Sequence, residues 1–359
     1  MYLTHAFLIV KILSFFMASF LVAILFAPLL IHFLYKYKAW KKKPKEKSIG
    51  GYDTPIFQKF HAKKEVTTPR MGGILIWGTV LLIAVVDLFL AHVLPYPLSE
   101  KVNFLSRSQT WLPLFTLIAA SLLGLADDVM TVRNSGNYIS GGLRFKWRFA
   151  IVCLIALVGA WWFHFKLGWS SLYIPFHGNI EIDGLYMVLF VLTMLATFSS
   201  GVVDGLDGLS AGVLTPIFIS FGVIAYSRGL YDLVTLIVVI VGSLLTYLWY
   251  NVPPAKFYMG ETGILGLTAV LAVIAFLTNS VIFLPIIGIV LVIESLSVII
   301  QLASKKLRHG KKVFLAAPIH HHFEALGWSE SQITMRFWLV SAIFSGLGLI
   351  LYFLSKFLY

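Results

Sequence analysis

Ten apolar stretches, each close to membrane-spanning length, follow one another along this chain, and no other feature limits its fold so strongly. They lie at about 7–35, 72–94, 110–126, 147–165, 184–200, 209–227, 232–250, 263–280, 282–303 and 335–357. A helix needs about 20 apolar residues to cross the hydrocarbon core of a bilayer. Backbone polar groups find no water there, so an apolar segment must satisfy them internally as a helix. The pattern predicts an all-α integral membrane protein with about ten transmembrane helices. Composition agrees: 59% of the 359 residues are hydrophobic, 12% are charged, and mean hydropathy is +0.88. Soluble domains carry roughly 25% charge. The hardest boundary to place is near Asn279, where one long apolar stretch divides in two; Thr278–Asn279–Ser280 and Pro285 favour a turn there. The single cysteine, Cys153, excludes an intramolecular disulfide and a cysteine-based zinc site.

The charge balance is basic, 28 Lys and Arg against 16 Asp and Glu, net +12. Nucleic-acid binding is one source of such an excess; positive-inside topology is the better one here. Segment 36–70 carries eleven basic residues, including Lys41, Lys42, Lys43, Lys45 and Lys47; 127–148 carries four, 251–262 one and 304–336 six. These segments alternate with weakly charged connections, which makes them the cytoplasmic side and turns both termini outward. The Lys41–Lys47 run suits anionic lipid headgroups. Outside the membrane, 171–183 alternates around His177–Gly178 and reads as a small extracytoplasmic β-hairpin.

The acidic residues gather on the basic side. Asp127 and Asp128 end the third span, Asp204 and Asp207 lie between the fifth and sixth, and Glu261 lies between the seventh and eighth. Carboxylates at a membrane boundary are costly without partners and mark function by default. Adjacent aspartates repel unless a cation or proton intervenes. Oxygen ligands beside phosphates suit Mg²⁺, which keeps several waters and takes few protein carboxylates. Lys64, Lys146, Arg148 and Lys256 on the same face offer charge to phosphate groups. The run Pro318–Ile319–His320–His321–His322–Phe323–Glu324 suits a turn or helix start with at least two imidazoles in one site. It is open to roles in metal binding, phosphate hydrogen bonding or proton transfer.

Together these motifs resemble the bacterial phospho-N-acetylmuramoyl-pentapeptide transferase (MraY) family, within the polyprenyl-phosphate N-acetylhexosamine-1-phosphate transferase superfamily. The resemblance runs through His61…Lys64, Thr68-Pro69-Arg70-Met71-Gly72-Gly73, Gly124-Leu125-Ala126-Asp127-Asp128 and Gly142-Leu143…Lys146. It continues in Asp204-Gly205-Leu206-Asp207-Gly208-Leu209, Asn251-Val252-Pro253-Pro254-Ala255, Met259-Gly260-Glu261 and Ala317–Glu324. The aspartate motifs are shared across the superfamily, and the triple-histidine run is specific to this branch. The resemblance implies a single polytopic domain over 1–359 in the bacterial inner membrane. Its cytoplasmic segments 36–71, 127–148, 201–208, 251–262 and 304–336 would form the active site. It implies transfer of phospho-MurNAc-pentapeptide from UDP-MurNAc-pentapeptide to undecaprenyl phosphate, giving lipid I and UMP in peptidoglycan synthesis, with Mg²⁺ as cofactor and a homodimeric state.

The same resemblance assigns catalytic roles to Asp127, Asp128, Asp207 and His320. It assigns substrate binding to Lys64, Thr68, Lys146, Asp204, Asn251, Tyr258, Gln301 and His321, and metal binding to Glu261. The chain departs from the family pattern at Phe198 and Gly201, where the family has asparagines, and at Thr131, where it has lysine. It has Tyr258 for phenylalanine and Glu261 for the metal-binding aspartate. Alternative readings are a transferase for another UDP-amino-sugar, a catalytically weakened homologue, a transporter or a membrane scaffold. Among spans, only Lys11, Asp87 and Glu294 carry charge well inside the apolar stretches, which gives a transporter little to work with.

Overall fold

The computed structural model describes residues 2–44, 55–96, 98–105, 108–135 and 142–358; Lys45 and Lys47 of the basic run lie outside them. The first half comprises helices α1 (Tyr2–Lys36), α2 (Pro55–Glu65), α3 (Ile74–Val93), α4 (Leu98–Val102), α5 (Ser108–Arg133) and α6 (Phe145–Trp161). A hairpin of β1 (Ser171–Ile174) and β2 (Gly178–Glu181) follows. The second half comprises α7 (Leu185–Ser199), α8 (Leu209–Ser227), α9 (Tyr231–Asn251), α10 (Glu261–Leu277), α11 (Leu284–Ile287), α12 (Ile289–Leu307), α13 (Ile319–Ala325) and α14 (Glu330–Phe357).

Among the described residues, eight helices are long and apolar enough to cross a membrane: α1, α3, α5, α6, α7, α8, α9 and α14. Segment 281–287, which includes α11, and α12 meet at a 79° bend at Gly288; the pair is apolar enough to count as a ninth if it forms one broken span rather than a re-entrant loop. The expected span 263–280 corresponds to α10, which has 17 residues and is buried from Thr262 to Leu277. A helix apolar on every side belongs either in lipid or in a core, and α10 is the core case. It packs along α5, α7 and α3 and touches α8, and α9 packs in turn on α8, α1 and α3. Helices α1, α6 and α14 keep most of their apolar surface outward, with Leu25 78% and Phe357 86% exposed.

Two close approaches fix this arrangement. A Cβ on Gly124 of α5 would lie 2.1 Å from the Glu261 carbonyl oxygen of α10, and one on Gly73 would lie 2.2 Å from Gly263 Cα. Small residues let helix backbones meet in this way. The start of α10 is therefore clamped between the start of α3 and the end of α5.

The helix outlasts the third apolar stretch: α5 continues past Asp127 and Asp128 to Arg133. Both carboxylates are neutralised by arginines from other segments, so the helix need not stop for them. The division near Asn279 is present: α10 ends at Leu277 and Asn279 turns the chain with φ 44°. Its side-chain oxygen accepts the Tyr173 N–H at 2.9 Å, which ties the hairpin to this turn. The hairpin pairs Ser171 with Glu181 and Ile174 with Gly178.

Candidate active site

The site is built at one end of the bundle, where α5, α6 and α10 bring acids and arginines together. Asp128 is fully buried and accepts hydrogen bonds from Arg70 Nε at 3.1 Å and Thr262 N–H at 3.0 Å. It thus anchors both the segment entering α3 and the first turn of α10. Asp127 accepts the Leu143 N–H at 2.6 Å and lies 3.6 Å from Arg148 Nη1. Arg148 Nη2 holds Glu261 Oε2 at 2.7 Å, and its guanidinium stands 5.9 Å over the Phe198 ring. Asp128 and the other carboxylates around Arg70 hold its guanidinium above the ordinary arginine value despite burial.

The turn between α7 and α8 supplies two further carboxylates. Asp204 accepts from Ser210 Oγ at 2.8 Å and from Gly260 N–H at 3.2 Å, and burial pushes it up to about 6. Asp207 Oδ2 accepts from Lys64 Nζ at 3.3 Å and from Ala255 N–H at 3.2 Å. Burial and the Glu330 charge push Asp207 up, with Lys64 opposing them. Lys64 also holds Glu330 Oε2 at 2.5 Å, and Glu330 accepts the Asp207 N–H at 3.1 Å. Gly208 begins α8 with φ 77°, a left-handed backbone that glycine adopts without cost from a Cβ.

Six carboxylates, from Asp127, Asp128, Asp204, Asp207, Glu261 and Glu330, therefore meet three cations, Lys64, Arg70 and Arg148. An uncompensated surplus of negative charge in a site of low water content is costly. A divalent cation would relieve it. Mg²⁺ needs only one or two carboxylates and otherwise keeps its waters. Glu261, with its side chain 23% exposed, is more open than Asp127, Asp128 and Asp207 and could meet such an ion. The donor chemistry therefore fits Mg²⁺.

The histidines take different partners. His320 Nδ1 lies 2.9 Å from Glu294 Oε2, both side chains fully buried. The ring sits against Gly205, where a Cβ would fall 2.3 Å from Nε2. His321 instead meets Glu324, which also lies 3.0 Å from His61 Nε2. Burial, reinforced by His320, pushes His321 down to about 3. Burial alone would raise Glu324, yet its hydrogen bonds with His321 and His61 hold it at about 2. The His320 and His321 rings still lie 4.2 Å apart between centroids, so two of the three imidazoles adjoin while each faces a different buried carboxylate. Glu294, charged well inside an apolar stretch, is the partner that the sequence left unassigned.

Other expected residues take structural positions. Asn251 accepts the Gly208 N–H and donates to the Phe257 carbonyl, each at 2.8 Å, so both ends of its amide tie loops together. Gln301 accepts from the Val313 and Phe314 N–H groups and donates to the Phe314 carbonyl, at 3.0, 3.0 and 2.8 Å. Thr68 shares a hydrogen bond with Tyr258, whose phenol is raised first by burial. Lys146 is exposed on the first turn of α6 and makes no ion pair among the described residues; Arg148, two positions on, enters the site instead. Sequence reasoning gave no role to Arg70 or Glu330. Arg70 carried a signal, as the one cation in the Thr68–Gly73 motif. Glu330 carried none, because an acid after the Ser329 cap reads as an ordinary helix start.

A polytopic helical protein with carboxylates, arginines and a lysine converging at one end of its bundle is a membrane protein with a site suited to charged substrates. The family model described as glycosyl transferase family 4 matches residues 110–279. Over 335 residues the chain is 36% identical to the phospho-N-acetylmuramoyl-pentapeptide-transferase of Anoxybacillus flavithermus, covering 92% of this chain and 94% of that protein. It is 38% identical over 338 residues to the protein of that name from a Geobacillus species, with 92% and 94% covered. With that of Listeria monocytogenes it shares 36% over 340 residues, with 93% and 97% covered. The chain belongs to the phospho-N-acetylmuramoyl-pentapeptide-transferase family.

Proposed function

We propose that this protein transfers phospho-MurNAc-pentapeptide from UDP-MurNAc-pentapeptide to undecaprenyl phosphate, releasing UMP and forming lipid I, with Mg²⁺ as cofactor. The observation that carries the reading is the meeting of six carboxylates with Lys64, Arg70 and Arg148 in a protein related along almost its whole length to transferases of that name. In the same reading the ten apolar stretches are ten spans, both termini face outward, and the site opens to the cytoplasm of a bacterial inner membrane.

Phosphoryl transfer asks for alignment and charge neutralisation more than for covalent help. Lys64, with its side chain 38% exposed, is the most open cation of the site and suits the donor diphosphate. Asp207 and Glu330 hold its ammonium from two sides. Arg70 and Arg148 carry fixed positive charge beside Glu261, and Asp128 and Asp127 hold them in register. Glu261, with Asp127 nearby, would hold Mg²⁺, which supplies charge neutralisation for the departing phosphate. The lipid phosphate is ionised at neutral pH, so direct in-line attack needs little from an enzymic base.

A donor panel tests the reading. Purified protein with undecaprenyl phosphate should release UMP from UDP-MurNAc-pentapeptide, and EDTA should stop it until Mg²⁺ is restored. Release from UDP-GlcNAc but not from the muramyl-pentapeptide donor would overturn the choice of donor. Turnover undiminished in EDTA would overturn the cofactor.

Glu261 gives a sharper test. If it only replaced an aspartate as metal ligand, Glu261→Asp would maintain or raise activity. Its carboxylate is, however, engaged by Arg148, which rests on Phe198. Shortening the side chain by one carbon, about 1.5 Å, breaks that contact. UMP release should fall about tenfold or more, since displacements near 1 Å carry such penalties. An unchanged or faster rate would show that Arg148 does not set the position of this carboxylate.

A further inference from the structure

A second cluster involves the helix that carries Lys64. His61 on α2, and His321 and Glu324 on α13, are all buried, and one ligand atom from each lies within 4.8 Å of the others. His321 and Glu324 stand three positions apart on one helical turn and so share a face. His61 reaches them from a segment 263 residues earlier in the chain, its Nε2 3.0 Å from both oxygens of Glu324. The His61 and His321 rings are 5.3 Å apart between centroids.

We propose that His61, His321 and Glu324 form a binding site for a transition-metal dication of the zinc type. Two imidazole nitrogens and one carboxylate oxygen suit zinc and its neighbours, whereas Mg²⁺ and Ca²⁺ take oxygen. Zinc bonds of about 2.0–2.1 Å in tetrahedral geometry place ligand atoms about 3.3 Å apart. The separations from His61 Nε2 to the carboxylate need change by only a few tenths of an ångström. The tighter His321–Glu324 contact, 2.5 Å, would open as the metal takes the place of the shared proton. Three protein ligands leave a fourth position for water, the arrangement of an exchangeable rather than a closed site.

The location gives the site a consequence. Lys64 follows His61 by one helical turn, and His320, packed on Gly205, precedes His321. A metal here would clamp the helix carrying Lys64 to the helix that supports the Asp204–Asp207 turn. The proposal does not rest on the transferase reading and is tested without turnover.

Full-length protein in detergent would be loaded with Zn²⁺ or Co²⁺ in excess Mg²⁺, gel-filtered, and assayed for metal content and visible absorption. The expected result is one retained zinc per chain and, with cobalt, the intense ligand-field bands of a four-coordinate site. His61→Ala and Glu324→Gln should reduce both signals to background, while Glu261→Gln should leave them unchanged. Glu324→Gln preserves side-chain volume and hydrogen bonding, and a size-exclusion profile matching the parent shows that it is folded. No retained zinc in the parent protein, an octahedral cobalt spectrum, or equal retention in folded Glu324→Gln would overturn the site.

Discussion

Asp128→Asn should lower turnover at least a hundredfold, about 2.7 kcal/mol of transition-state stabilisation, while the protein stays folded. The substitution is isosteric, and asparagine can still accept the Thr262 N–H that Asp128 accepts now. What it removes is the charge facing Arg70. Asp128 has no exposed side-chain surface, so its effect on substrate passes through the groups it holds. With Asp128 neutral, the Arg70 guanidinium loses its charged partner at 3.1 Å and turns to the other carboxylates, Asp204 and Glu261 among them. A site whose fixed charges must be preorganised before the transition state loses rate when one of them moves. Asp207→Asn should act to a similar extent through Lys64. The measurements are steady-state UMP release and a melting curve in detergent. Near-parental rates in folded Asp128→Asn would remove the residue from the site.

Gly124→Ala should also be damaging, for a reason that is steric. Its Cβ would meet the carbonyl oxygen of Glu261 at 2.1 Å, its carbonyl carbon at 2.3 Å and the Thr262 nitrogen at 2.6 Å. Overpacking typically costs about 1–3 kcal/mol when side chains can shift. Here the obstacle is the backbone at the start of α10, held from the other side by the Gly73–Gly263 contact. Helices α5 and α10 must separate, which moves Asp127 and Asp128 relative to Glu261. We expect a lower melting temperature and at least a tenfold loss of UMP release in the folded fraction. Gly346→Ala on α14 is the control: a Cβ there meets nothing within 4 Å, and it should leave UMP release unchanged and the melting temperature equal or slightly higher. Parental stability and rate in Gly124→Ala would mean that the two helices do not meet this closely.

The carboxylates show how far the sequence reaches. Asp127, Asp128, Asp204, Asp207 and Glu261 were legible because acids at the edges of apolar stretches demand a partner. Which partner each one takes was not legible. Lys146 and Arg148 are equivalent by composition, two residues apart in one basic loop, yet only Arg148 turns into the site. Helical phase at the start of α6 makes that choice. The three histidines were visible as chemistry, but their orientation was not, because Glu294 holds His320, Glu324 holds His321 and His322 takes the Leu315 N–H.

By itself the sequence determined that this chain lives in a bilayer as a bundle of helices, and where its chemistry is concentrated. Hydropathy and charge are read one residue at a time and do not depend on who the neighbours are. Tertiary structure decided which apolar helix is core and which faces lipid, since both surroundings favour the same residues. It alone set α10 at the centre, bent the chain by 79° at Gly288 and paired Arg70 with Asp128 across 58 positions. Those outcomes depend on distances between segments remote in the chain, and close packing of backbone on glycine is what fixes them.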